Sequence, residues 1–138
     1  MTKLSCPCNP QTEYKDCCQP YHTGTQSAQS AELLMRSRYS AYVKNIVDYL
    51  YNTTHPKVRT KRLRTEIESW IEEAQWISLE VLETKLGSKT DKIGKVEFLA
   101  EYKVKGQSHH HHELSNFKRH NNKWMYVDGT IYGRDLGA

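Results

Sequence analysis

The sequence predicts an α+β protein with a short cysteine-bearing segment ahead of the main domain. Three observations carry that expectation. All four cysteines of the 138 residues fall between Cys6 and Cys18. From Ala31 onward, apolar residues recur at spacings of three and four, the period of a helix packed on one side. After Trp76 the period changes to two, as in half-buried antiparallel strands. Helices followed by a run of strands is the α+β order.

Taken in order, the first segment to about Pro20 holds three of the four prolines. It is expected to be short on regular structure, with at most a helical turn over 12–16. The polar stretch 21–30 reads as an exposed linker. Ser30 suits the N-cap of a helix opening at Ala31. Met35, Tyr39, Tyr42, Val43, Ile46, Tyr49 and Leu50 then form one wide apolar stripe. A break is expected over 45–48, with Asp48 capping a short second helix. His55-Pro56 ends it, because the residue before proline avoids the helical region. A third helix over 60–74 carries Leu63, Ile67, Trp70 and Ile71 on one face.

Strands follow over 76–86, 94–105, 109–120 and 123–128. The second alternates most clearly, with Val96, Phe98, Ala100, Tyr102 and Val104 directed inward. Asn121-Asn122 marks a hairpin turn, and the chain from Gly133 reads as a frayed end. The expected units are the cysteine segment, residues 1–22, and an α+β domain over 30–133.

Composition narrows the function classes. The formal charge is +4 and the mean hydropathy is −0.81. No apolar run approaches the roughly 18 residues of a membrane span. The start, Met1-Thr2-Lys3-Leu4-Ser5, lacks the apolar stretch of a secretory signal, so a cytoplasmic location is expected, where thiols stay reduced. The basic run Lys57, Arg59, Lys61, Arg62 and Arg64 raises nucleic acid as a partner. Glu66, Glu68, Glu72 and Glu73 follow it directly, which favours a solvated helix face, and no nucleic-acid partner is expected. A domain of this length buries about two-thirds of its unfolded surface unaided, so the cysteine segment is expected to be an attachment with its own local stability.

The cysteine pattern is C-x-C, eight residues, then C-C. Four thiolates on so short a segment can close a tetrahedral shell around one Zn²⁺. Disulfides, an iron–sulfur cluster and a redox dithiol are the alternatives. Disulfides suit the cytoplasm poorly, and adjacent Cys17-Cys18 is an awkward pair to bridge. Iron–sulfur ligands are usually more widely spaced. The pattern is read as a structural zinc knuckle on Cys6, Cys8, Cys17 and Cys18, with His22 as a minor substitute ligand. Its surface, with Tyr14 and Tyr21, offers contact to an unidentified protein partner.

Two stretches resemble known families. Residues 6–18 (CPCNPQTEYKDCC) resemble the SEC-C zinc motif, first known from the tail of the bacterial SecA translocase. The body resembles the uncharacterised bacterial YchJ-like family in three places: 35–43 (MRSRYSAYV), 112–117 (HELSNF) and 124–129 (WMYVDG). Leu114 and Asn116 stand where that family usually has arginines, and Asn9-Pro10 where a Gly-Ser type turn is common. The resemblance implies a nuclear-transport-factor-2-like fold, a curved antiparallel sheet wrapped by helices into a cone with a pocket inside. It implies no reaction, and the fold hosts both enzymes and binding or dimerisation modules.

If a small ligand or substrate binds, the expected pocket joins Arg36, Arg38 and Tyr39 on the covering helix to His112, Glu113, Ser115 and Asp128 on the sheet. Arg38 would take a carboxylate or phosphate, with Glu113 or Asp128 as base. The same glutamate paired with Arg36 or Arg38 would equally be a structural ion pair. In the run His109-His110-His111-His112, alternation puts His109 and His111 on one face and His110 and His112 on the other. Two imidazoles on one face could hold a second metal, though such a run is more often exposed and merely polar. The leading reading is a zinc-binding adaptor, with oligomer formation open. The alternative is a ligand binder or enzyme using the pocket.

Overall fold

Ser30 has extended backbone and its hydroxyl accepts the Leu33 amide at 3.1 Å, so the principal helix begins where the capping pattern places it. In the computed structural model, which describes residues 4–134, the elements are β1 (Ser5–Cys6), β2 (Asn9–Glu13), α1 (Gln19–His22), α2 (Ala31–Lys44), α3 (Val47–Asn52), α4 (Leu63–Glu73), β3 (Gln75–Leu86), β4 (Ile93–Val104), β5 (Gln107–His120) and β6 (Lys123–Arg134). Single 3₁₀ turns lie at Tyr14–Asp16 and Pro56–Val58. The α+β order is as expected.

Asn45 ends α2 in the left-handed conformation, at φ 62°. Its short polar side chain tolerates that region, and the chain turns into α3 with Ile46, rather than Asp48, at the N-cap. The four long strands form one antiparallel sheet in the order β3-β4-β5-β6. Asn121 and Asn122 both have positive φ, as a two-residue hairpin requires. β6 does not stop at Asp128 but continues through Gly133 and Arg134, because β5 is long enough to pair with it as far as His111. The rest of the expected frayed end lies outside the described residues.

The cysteine segment is more regular than its prolines suggest, since β1 and β2 pair as a small hairpin. It also packs directly against the main domain. Cys6, Cys8 and Cys18 are 2%, 4% and 1% exposed. They join one continuous buried cluster with Leu34, Met35, Tyr39, Val96, Ala100 and Phe117. The cause lies in α2, which is covered on two sides. Met35 and Tyr39 face the sheet cluster, while the small residues Ser37 and Ser40 are fully buried and Ser40 touches two of the cysteines. A stripe drawn through apolar residues alone passes over that second contact.

Candidate metal centre and cavity

The β1–β2 hairpin presents Cys6 and Cys8. The 3₁₀ turn then brings Cys17 and Cys18 back to them, with the Cys17 amide donating to Tyr14 O at 3.0 Å. Sulfur–sulfur distances are 3.7 Å for Cys6–Cys8, 3.6 Å for Cys8–Cys17, 3.6 Å for Cys8–Cys18 and 3.9 Å for Cys17–Cys18. All four sulfurs lie within 4.8 Å of one another. A tetrahedron of sulfurs about 2.3 Å from a central ion has edges of about 3.8 Å, so the four side chains fit such an ion. No other group of this kind occurs among the described residues. Contacts with Cys6 and then Cys8, together with burial, push the Cys18 thiol upward, while Cys6, whose sulfur is approached by Cys18, Cys8 and Ser40, is held low. Sulfurs this close repel one another when ionised, and a cation is what would let all four carry charge together.

The surroundings lock this geometry. Ser40 Oγ lies 3.4 Å from Cys6 Sγ and 3.2 Å from Cys18 Sγ. Arg36 Nη1 donates to Cys8 O at 3.2 Å, and its Nε bonds Glu32. His22 is not a ligand, since both of its nitrogens are engaged, Nδ1 with the Tyr14 hydroxyl at 2.6 Å and Nε2 with Ser37 O at 2.7 Å. Burial lowers its pKa and keeps the ring neutral, so Nε2–H donates and Nδ1 accepts.

Behind α2, between helix and sheet, lies a cavity of about 310 Å³. Its walls are Met35, Arg38, Tyr39 and Tyr42 from α2, Trp70 from α4, and Trp76, Phe98, His111, Glu113, Ser115, Phe117, Tyr126 and Ile131 from the sheet. Trp76 is the hub, with ring centres 6.1 Å from Tyr39, Tyr42 and Trp70 and 4.9 Å from Tyr102. Glu113, 7% exposed, is the buried carboxylate of the wall. Its Oε1 meets His111 Nε2 at 2.7 Å, and its Oε2 accepts from Ser115 Oγ at 2.8 Å and the Tyr126 hydroxyl at 2.9 Å. Burial alone would raise its pKa, but these bonds, His111 foremost, hold it below the ordinary value of 4.5. Gly129 makes the arrangement possible, because a Cβ there would lie 2.0 Å from Oε2.

Of the residues expected in the pocket, the fold brings Arg38, Tyr39, Glu113 and Ser115 together. Three lie elsewhere. Arg36 turns toward the knuckle. His112 sits on the outer face of the sheet against Glu97, at 2.6 Å, because it alternates with His111. Asp128 is exposed and accepts from Asn116 at 2.8 Å. Among the described residues Glu113 has no arginine partner. Arg38 Nη1 instead donates to Leu50 O, Thr53 Oγ1 and Thr54 Oγ1, with the guanidinium 4.8 Å over the Tyr126 ring. The histidine run is not simply exposed either, since His109 is buried and stacked on Tyr102 at 5.3 Å. Trp76, His111 and Tyr126 were not anticipated in the wall. The i, i+2 rule from Glu113 gives His111, and the Asn121-Asn122 turn sets Tyr126 opposite Phe117.

The comparisons with known proteins agree with this architecture. The family model described as "YchJ, middle NTF2-like domain" matches residues 30–129. The chain belongs to the YchJ-like family. A UPF0225 protein of Geobacter sulfurreducens is 41% identical over 129 residues, covering 94% of this chain and 80% of that protein. One from Photorhabdus laumondii is 43% identical over 132 residues, covering 94% and 82%. The solution structure of a SEC-C motif protein from Rhodopseudomonas palustris superposes with a TM-score of 0.81 at 33% identity, over 94% of this chain and all of that one. The crystal structure of a SEC-C motif protein from Psychrobacter arcticus does so at 0.75 and 34%, over 96% and 85%. The YchJ-like chain therefore joins a SEC-C cysteine cluster to an NTF2-like domain. None of its helices among the described residues is long and apolar enough to cross a membrane.

Proposed function

We propose that this YchJ-like protein binds a small molecule in its NTF2-like cavity and is stapled at its N-terminal end by one structural Zn²⁺ on Cys6, Cys8, Cys17 and Cys18. The observation that carries the ligand reading is the state of the cavity wall. Two buried nitrogens on lining residues, Trp76 Nε1 and His111 Nδ1, have no hydrogen-bond partner. Buried polar atoms in folded proteins nearly always have a protein or ordered-water partner, and a molecule held in the cavity, solvent or ligand, is what would supply one. Arg38, Tyr39, Glu113 and Ser115, together with Trp76, His111 and Tyr126, would hold it. The sulfur–sulfur distances support zinc, and a closed four-sulfur site leaves no position for water, so the ion's part is structural. A reducing compartment such as the cytoplasm would keep all four thiols available to the ion.

The adaptor reading has less behind it. Tyr14 packs on His22 and beneath the Lys44 ammonium at 4.3 Å, and Tyr21 borders a second hollow beside α1. Of the two tyrosines suited to a partner, Tyr14 is thus engaged within the chain. Elemental analysis of protein purified without metal-affinity resin should find one zinc per chain, and none in Cys17→Ser/Cys18→Ser. In a metabolite screen followed by ¹⁵N NMR, a cavity ligand should move the indole signals of Trp70 and Trp76 and leave that of Trp124, which is bonded to Gln29 O. A library that moves neither indole would remove the ligand reading.

A further inference from the structure

The polar groups of the cavity wall are unequally satisfied. Given a cavity that takes a ligand, as proposed above, that imbalance specifies the ligand's charge. Glu113 accepts three hydrogen bonds from within the protein, which leaves it little capacity for a further donor. The unmet demand is mostly on the donor side, although His111 Nδ1, an acceptor in the neutral ring whose Nε2–H donates to Glu113, is also unpartnered. Arg38 uses only Nη1 toward protein oxygens. No acceptor among the described residues meets its Nε or Nη2, and it appears in none of the ion pairs of the described chain. The Trp76 indole N–H, in the same wall, also lacks an acceptor. A ligand amine would set donors against the donors of Arg38 and Trp76, with His111 Nδ1 left to accept from it. A carboxylate matches the edge of a guanidinium, which can grip it through two parallel N–H bonds. One guanidinium offers one bidentate grip, and the ionised Glu113 in the same wall limits how much further negative charge the cavity accepts, which favours a carboxylate over a dianionic phosphate.

The remaining wall sets the shape of the ligand. Trp70, Trp76, Tyr39, Tyr42 and Phe98 offer ring faces and edges, which pair best with a flat apolar body. A volume of about 310 Å³ is at the small end for ligand sites and suits one or two fused rings. We propose that the cavity binds a small, flat, apolar carboxylic acid, with its carboxylate on Arg38 and its ring system among the Trp70 and Trp76 indoles.

The test is an NMR titration of the zinc-loaded, full-length protein with 2-naphthoate, 2-naphthamide and 2-naphthylmethylamine. The acid should bind at least about tenfold more tightly than the amide, the ratio expected for one charge-assisted contact. It should shift the Trp70 and Trp76 indole signals and not that of Trp124. Arg38→Gln should bring the acid down to the affinity of the amide. Should that variant fail to fold, the acid-to-amide ratio of the wild type decides alone. Equal or tighter binding of the amide or amine at the same indoles would overturn the carboxylate assignment and leave the cavity as a ligand site. If none of the three moves the indoles, the carboxylate assignment falls, and the broader metabolite screen decides the ligand reading separately.

Discussion

The knuckle and the cavity are both polar sites set against the same apolar cluster, and they differ in how completely their polar groups are used. Around the cysteines every neighbour is engaged: Ser40 with two sulfurs, Arg36 with a backbone carbonyl, His22 with a partner at each nitrogen. In the cavity, an indole N–H, an imidazole nitrogen and one edge of a guanidinium are left over. A fully satisfied site rigidifies, and a partly satisfied one is where a ligand gains affinity. On the reading proposed above, the contrast gives structure to one region and recognition to the other, although the cysteines are the louder signal in the sequence.

The largest expected effect comes from breaking the knuckle. Since Cys6, Cys8 and Cys18 belong to the main cluster, removing the metal with a strong chelator should lower the single main thermal transition. The expected loss is at least about 3 kcal/mol, or about 10 °C for a chain of this length. Differential scanning calorimetry with and without chelator checks this. A main transition that stays in place while zinc is released would restore the independent attachment. Ser40→Ala sharpens the same point, because loss of a hydroxyl that orients metal ligands typically weakens the metal about tenfold or more. Competition with a chromogenic chelator would measure it.

An intermediate effect is expected at Gly129. Its φ is not positive, so the requirement for glycine is steric and points at one carboxylate. Gly129→Ala should cost about 1–3 kcal/mol, the usual range for overpacking. Combined with Glu113→Ala, the loss should be less than the sum of the two single changes. Strict additivity in urea unfolding would show that Glu113 is not what the new methyl group meets.

Much of this was legible in the residues themselves. Period and caps placed the helices and strands, because those signals are local. The cysteine spacing located the four-sulfur cluster for the same reason. The cavity was half legible. Alternation from Glu113 correctly carries Ser115 and His111 inward, and the same rule turns His112 outward, against the expectation built on the motif around it. Arg36 and Arg38 look equivalent on α2, yet two helical positions differ by about 200° around the axis, and only contact with both the knuckle and the sheet decides which goes where. Asp128 follows Tyr126 by two, but the β6 register shift next to Asn116 and Phe117 breaks the alternation that would have carried it inward. The docking of the knuckle was hidden because it runs through serines, which carry no apolar signal. The basic run was similarly masked: Arg59 and Arg64 lie over the Tyr51 ring at 5.1 and 4.8 Å, a use that no charge pattern reveals.

The smallest effect is the one that reports on the cavity in its resting state. Glu113 has a folded pKa below its ordinary value of 4.5, so its ionised form is favoured by folding. That contribution is complete at pH values above the unfolded pKa and is lost as the pH falls through the lower, folded one. Glu113→Gln removes it at every pH. The stability gap between wild type and Glu113→Gln should therefore be full near pH 5 and shrink as further acid is added. Acid also releases metal from thiolates, but it does so in both proteins and cancels in the difference. Urea unfolding of the pair across this range measures the gap. A gap that widens in acid would mean that Glu113 is held protonated in the fold, and the bonds from His111, Ser115 and Tyr126 would then not be satisfying a carboxylate. In that case Glu113 would itself be a donor into the cavity, and the balance of donors and acceptors that selects a carboxylate ligand would have to be drawn again with one more donor on the wall.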